Sequence, residues 1–220
     1  MWLNVLKNFD ILQSNNQYWQ VYIWTNKSPN SKNCDVYKRR KVSLDEIDDE
    51  HLSIRNVIEK TALSYQILTD NQESALYTGV EYCLKLENLV EGVANFMTLI
   101  KDFQLQFGYR TSYPVIIKFG KKDNSLLGLS SQRNDVFYIS TYNDGYQHDN
   151  DLLVKLFQEL EILMINKFNG RPHYGYKNWL DTGKMQDLYG SNLDKFRIIR
   201  DKLDVKRVFS NDFVDRVIGL

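Results

Sequence analysis

The sequence predicts an α+β domain, and three observations carry that reading. Short runs rich in aromatic and β-branched residues, at 18–24, 76–85, 113–119 and 135–142, read as strands. Two longer stretches, opening at Asn88 and near Asn150, repeat apolar residues at helical spacing. The 220 residues are 43% hydrophobic and 25% charged, a balance that fills one substantial core. Helices layered on a sheet bury both kinds of apolar face. The strands need not be parallel.

In chain order, residues 2–9 suit a short helix with Leu3, Leu6 and Phe9 on one side. YWQVYIW at 18–24 is a strand, followed by a polar loop at 25–33. Residues 35–42 alternate imperfectly and suit an edge strand. Its KRRK run at 38–41 is either an anion patch or a solvated edge whose charges resist edge-to-edge pairing. The acidic stretch at 45–50 lacks the spacing and central glycine of a calcium loop. Ile54, Val57, Ile58 and Leu63 give 51–68 a mixed helical periodicity. LYTGVEYCLK at 76–85 is a strand with Val80, Tyr82 and Leu84 on one face.

Asn88 stands three residues before Glu91, a capping-box pattern that opens a helix through Phe103, and Gly108 can stop it. Pro114 sits near the start of the next strand, where a missing donor is tolerated. Residues 135–142 form a candidate central strand, then a loop runs to Asn150. The second long helix buries Leu152, Leu153, Leu156, Phe157, Leu160, Leu163 and Met164 and ends near Phe168. On it, Glu159 and Glu161 read as surface charges. Helices at 193–203 and around 210–216 close the order.

Several chemistries lack their sequence signals. The 28 basic and 28 acidic residues cancel, so composition offers no basic face for nucleic acid. Neither G-x-G-x-x-G nor G-x-x-x-x-G-K occurs, nor G-x-S-x-G, nor H-E-x-x-H. His148 lies near Asp144 and Asp149, but a metal site needs several convergent ligands, and none is predicted. Cys34 and Cys83 are far apart without a C-x-x-C, so a reducing compartment, cytoplasmic or similar, is expected. No window approaches the ~20 apolar residues of a membrane helix. The N-terminus shows no small-residue cleavage site, and a soluble protein is expected.

One segment stands apart. NGRPHYGYK at 169–177 brackets a cation, an imidazole and two phenols between Gly170 with Pro172 and Gly175. Irregular segments of this kind often carry binding or chemistry, although a helix end followed by a buried, hydrogen-bonded His173 reads equally well.

This stretch resembles the G-R-P-H-W-x-K signature of the aldonolactone oxidases, FAD-linked enzymes of the vanillyl-alcohol-oxidase type that include D-arabinono-1,4-lactone and L-gulonolactone oxidases. YGSNLDKF at 189–196, RDKLD at 200–204 and VFSN at 208–211 are similar to the family's closing pattern. EYCLK at 81–85 is similar to its E-Y-x-x-P strand, and YPVIIKF at 113–119 through Leu129-Ser130 to a further strand and loop. YWQVYIWT at 18–25 also looks like the family's aromatic strand. The resemblance implies a cap domain: a mainly antiparallel sheet flanked by helices, covering the flavin ring and shaping the substrate site. It implies a cap-like domain at 1–185 with a helical tail at 186–220 packed on it, and no flavin-binding half.

The resemblance makes His173 the catalytic candidate, taking or stabilising the charge of a substrate hydroxyl, with Lys118, Arg171, Tyr174, Tyr176 and Lys177 as substrate-binding candidates. There are departures. The family's Glu-x-Arg pair falls on Ile116 and Lys118; its tryptophan on Tyr174; its last lysine on Tyr176, with Lys177 one residue late. Two functions stay open: a degenerate, non-catalytic interaction domain, or the substrate subunit of a split aldonolactone oxidase. The chain alone is expected to bind no cofactor, with FAD entering through a separate FAD-binding protein. A homodimer through the face left by the flavin domain is the other expected partnership, with neither nucleic acid nor membrane as partner.

Overall fold

The structure is a computed structural model that describes residues 6, 18–24, 34–39, 53–54, 57–58, 77–109, 111–144 and 150–219. Its strands are β1 (Tyr18–Ile23), β2 (Cys34–Arg39), β3 (Ser53–Ile54), β4 (Val57–Ile58), β5 (Tyr77–Lys85), β6 (Val115–Gly120), β7 (Val136–Asp144) and β8 (Arg171–Pro172). Its helices are α1 (Leu89–Phe107), α2 (Asp151–Phe168), α3 (Thr182–Tyr189), α4 (Ser191–Leu203) and α5 (Asp212–Ile218). Six strands form one sheet in the order β2-β1-β6-β7-β5-β8, and every neighbouring pair is antiparallel. The α+β class, an antiparallel sheet flanked by helices, is as expected. β7 is central and β2 is an edge strand.

Strand alternation splits the sheet into two chemically different faces. Val21, Ile23, Val80, Tyr82, Leu84, Val115, Ile117, Phe137 and Ile139 face α1 and α2, where they join Phe96, Ile100 and Phe103 of the first helix and Leu153, Leu156, Phe157 and Leu160 of the second. Each such side chain contributes about 1.5–3 kcal/mol by leaving water. The opposite positions are largely polar or aromatic: Gln20 and Tyr22 on β1, Lys118 on β6, Tyr138, Ser140 and Tyr142 on β7, Glu81 and Cys83 on β5. A second apolar cluster joins Leu180, Met185, Leu188, Tyr189, Leu193, Val217 and Ile218. The 185/186 division expected from the sequence falls inside α3.

Four local expectations change. Ile54, Val57 and Ile58 lie in the β3–β4 hairpin, not a helix; pairing between strands overrides an ambiguous periodicity. Asn88 makes no side-chain cap, because the chain leaves β5 through a 3-10 turn at Leu86–Asn88 and reaches Asn88 with φ −90° and ψ 7°, outside the extended geometry a capping side chain requires. Asn150 is a working cap, accepting from the amides of Leu152 at 2.9 Å and Leu153 at 3.3 Å. α3 was not foreseen: only Met185, Leu188 and Tyr189 are buried among its eight residues, too few for a clear stripe. Glu161, expected at the surface, is 2% exposed. It accepts from the Trp179 amide at 2.8 Å and from Lys184 Nζ at 3.2 Å, pinning the segment after β8 onto α2. The helix predicted at 2–9 lies outside the described residues apart from Leu6, which is helical and buried.

Candidate functional site

The polar face of the sheet opens into a cleft of about 430 Å³ lined by Glu81, Lys118, Phe119, Leu129, Tyr138 and His173. That size suits a small molecule. These residues are separated by up to 92 positions in sequence, and sheet order brings them together.

Lys118 lies one strand away from Tyr138 and two from Glu81. It reaches across β7, and its Nζ meets Glu81 Oε2 at 3.0 Å. The Glu81 side chain is 6% exposed and that of Lys118 35%. Burial opposes the lysine's charge, but the Glu81 carboxylate outweighs it and holds the ammonium above its ordinary pKa. Burial also pushes the Tyr138 hydroxyl up to about 12, so this wall stays neutral.

Residues 171–173 lie along β5 as its outer neighbour, and the chain turns at 174–176 before meeting β5 again at Lys177. The pairing of β8 with Tyr82 and Cys83 continues through His173 N–H to the Glu81 carbonyl at 2.8 Å and Lys177 N–H to the Gly79 carbonyl at 2.9 Å. His173 thereby stands beside Glu81 on the cleft side. Its Nδ1 accepts from the Gly175 amide at 3.0 Å, and its ring lies 5.0 Å from that of Tyr176. The Tyr176 hydroxyl meets that of Tyr142 at 3.3 Å. Gly79 makes room for this pair: a Cβ there would stand 2.3 Å from Tyr142 Cδ1.

Of the predicted residues, His173 and Lys118 converge on the cleft, and Tyr176 flanks it. Arg171 is 6% exposed. Its Nη1 donates to the carbonyls of Gly128, Leu129 and Ser131, and its Nη2 to that of Leu188. The guanidinium also lies over the Tyr189 ring at 4.0 Å. It holds the loop that delivers Leu129 to the cleft and is not among the lining residues. Tyr174 donates to the Leu127 carbonyl at 3.0 Å and packs on the second apolar cluster. Lys177 is exposed. His148 lies outside the described residues, among which no three potential metal ligands cluster. No helix among them is long and apolar enough to cross a membrane.

Sequence reasoning missed Glu81, Tyr138 and the loop at 123–133. In that loop Asp123 accepts from the Ser125 amide at 2.8 Å and from Ser130 Oγ at 2.5 Å. Burial works against the Asp123 charge, yet these bonds hold its carboxyl below the usual range. Arg133 donates to the Cys83 carbonyl at 2.8 Å and to that of Asn169, tying the loop to β5 and to the end of α2.

An antiparallel sheet with α1 and α2 on one face and a charged cleft on the other has the architecture of a cap-type domain. The chain belongs to the D-arabinono-1,4-lactone oxidase family, whose model matches residues 55–217. It is 28% identical over 148 residues to L-gulono-1,4-lactone dehydrogenase of Mycobacterium tuberculosis, covering 67% of this chain and 32% of that protein. It is 29% identical over 108 residues to L-gulonolactone oxidase 3 of Arabidopsis thaliana, covering 47% of this chain and 18% of that protein. It thus spans a third or less of these relatives' length. Among solved structures, a solvent-stable cholesterol oxidase aligns with a TM-score of 0.47 at 19% identity, covering 66% of this chain and 34% of that one.

Proposed function

We propose that this chain is the substrate-facing part of a flavin-dependent sugar-lactone oxidoreductase, acting on the CH–OH group of an aldono-1,4-lactone. The carrying observation is the Glu81–Lys118 pair beside His173 in one cleft. A hydroxylated lactone needs both acceptors and donors, and carboxylate, ammonium, imidazole and phenol offer both. Family membership and the names of the two relatives above support the substrate class.

The same cleft is a poor seat for FAD itself, because the Glu81 carboxylate would repel a diphosphate. On this reading the cleft faces the substrate, and a flavin-binding region elsewhere is the partner it requires. FAD supplies the acceptor for the hydride. This chain's residues hold the lactone, exclude water and order the hydroxyl being oxidised. One observation favours the other reading, a binding domain without chemistry: Ile116 puts an apolar side chain where the family resemblance places a glutamate.

The test combines the full chain with the flavin-binding region of a relative. Each is titrated with D-arabinono- and L-gulono-1,4-lactone, and dye reduction is followed after mixing. Lactone binding by the chain and turnover only in the mixture support the proposal. Absence of both sinks it.

A further inference from the structure

We infer that Glu81 is the cleft's hydrogen-bond acceptor for a substrate hydroxyl, while His173 serves as a donor through Nε2–H. The inference rests on the substrate-face reading above and narrows the role expected of the histidine from its sequence, from taking or stabilising charge at a substrate hydroxyl to stabilising it as a donor.

The argument begins at the backbone. The Gly175 N–H can only donate, and it points at His173 Nδ1 from 3.0 Å. A nitrogen that accepts carries no proton, so the neutral ring holds its single proton on Nε2. A ring with Nε2–H has no lone pair there to receive a hydroxyl proton. Among the described residues Nε2 has no protein partner, so its donor is available to a ligand.

Glu81 has the complementary character. Oε2 is held by Lys118 at 3.0 Å, and Oε1 has no hydrogen-bond partner among the described residues. An ionised carboxylate only accepts. Residues 81 and 173 are adjacent in the ladder, joined through the His173 amide at 2.8 Å. Directly opposed side chains in such a ladder start ~5 Å apart at Cβ. That separation suits neighbouring hydroxyls on a sugar ring: one donates to Glu81 while the next accepts from His173. The ligand class is thus a vicinal diol or hydroxy-lactone, and a ligand lacking either hydroxyl is disfavoured.

Two measurements on the full chain test this. Long-range proton–nitrogen correlation NMR, with His173 assigned by its loss in His173→Gln, reads the tautomer directly. A proton on Nε2 is expected; a proton on Nδ1 overturns the inference without any ligand being present. Titration with D-arabinono-1,4-lactone then compares variants. Glu81→Gln and His173→Phe are each expected to weaken binding about tenfold, the scale of one hydrogen bond to a charged or buried group. His173→Gln keeps a donor and should stay within about threefold of the parent. If His173→Gln loses as much as His173→Phe, the donor role fails; if Glu81→Gln binds unchanged, the acceptor role fails. A parent chain that has the Nε2 proton but binds no lactone counts against the substrate-face reading, not against the assignment of donor.

Discussion

Removing one partner of the cleft ion pair should cost far more from one side than from the other. Lys118→Met leaves the Glu81 carboxylate, 6% exposed, without its cation. Breaking a fully buried pair this way costs about 3–5 kcal/mol. The lysine side chain is 35% exposed, so water screens the pair and the figure falls to about 1–3 kcal/mol. Glu81→Gln is milder: the amide oxygen can still accept from Lys118, and the ammonium can turn toward water. A loss of about 1 kcal/mol or less is expected. Urea unfolding followed by circular dichroism separates the two. With a slope near ~2 kcal/mol per molar, Lys118→Met should lower the midpoint by ~0.5–1.5 M at unchanged slope, and Glu81→Gln by less than half of that. If Glu81→Gln destabilises as much as Lys118→Met, the buried carboxylate is not what the lysine compensates, and the reasoning is wrong.

Alkaline pH gives an independent check, because Lys118 and the half-buried phenols Tyr109 and Tyr138, both pushed up to about 12, all bind protons more tightly when folded. Their contribution is fully present below the unfolded values near ~10 and is lost as pH rises through the folded ones, so urea midpoints should fall above ~pH 10, with Lys118→Met showing a shallower fall. Glu161→Ala strands the Trp179 amide and takes the carboxylate from Lys184 Nζ, which keeps the Trp179 carbonyl at 2.7 Å and is partly exposed to water; it should cost about 1–3 kcal/mol, read as a lower melting temperature with altered tryptophan fluorescence, and a change within error would show that α2 does not anchor this segment. Gly79→Ala places a Cβ 2.3 Å from Tyr142 Cδ1 and 2.8 Å from the Thr141 carbonyl oxygen, and should cost about 1–3 kcal/mol by overpacking, measured by urea unfolding. Arg171→Lys exchanges a fork that reaches four carbonyls for a single ammonium, so faster amide hydrogen exchange is expected at Ser131 and Arg133; unchanged protection would remove its role in holding the loop.

The layered fold was legible because its signals are local. Alternation in 76–85 and the stripe from Leu152 to Met164 each report which side meets the core, whatever the partner. The cleft was only half legible. Glu81 looks like any polar residue on the outward side of a strand. Its meaning arises from β6, β7 and β5 lying side by side, which lets Lys118 reach over β7, and nothing within either strand announces that order. The signal that could have found it was the family resemblance of EYCLK, read as a strand and not searched for a site. Arg171 shows the converse: the motif singled it out as a substrate-binding candidate, but its side chain turns to the carbonyls of 128–131. The direction of a side chain in an irregular segment depends on what the rest of the chain packs against it. Glu161 escaped for the same reason, since an acid at helical spacing is ordinarily solvated and only the Trp179 amide and Lys184 make its burial tolerable.

The one-residue displacement of lysine in NGRPHYGYK has a consequence set by this backbone. After His173 the segment leaves the ladder for a turn, closed by Tyr176 N–H to the His173 carbonyl at 3.2 Å, and it meets β5 again where Lys177 N–H donates to the Gly79 carbonyl, so the two neighbouring positions emerge into different surroundings. Tyr176 takes the place beside His173 and Tyr142, while Lys177 is exposed. Lys118 is then the only ammonium among the described residues lining the cleft, and Glu81 already holds it. A ligand entering here meets a compensated cation, an accepting carboxylate and a donating imidazole. Such a surface favours neutral, hydroxyl-rich molecules over anions, and a closed lactone over its open acid. Opening the lactone ring creates a carboxylate that this cleft would have to place beside Glu81, with no second ammonium or guanidinium among the described lining residues to offset it.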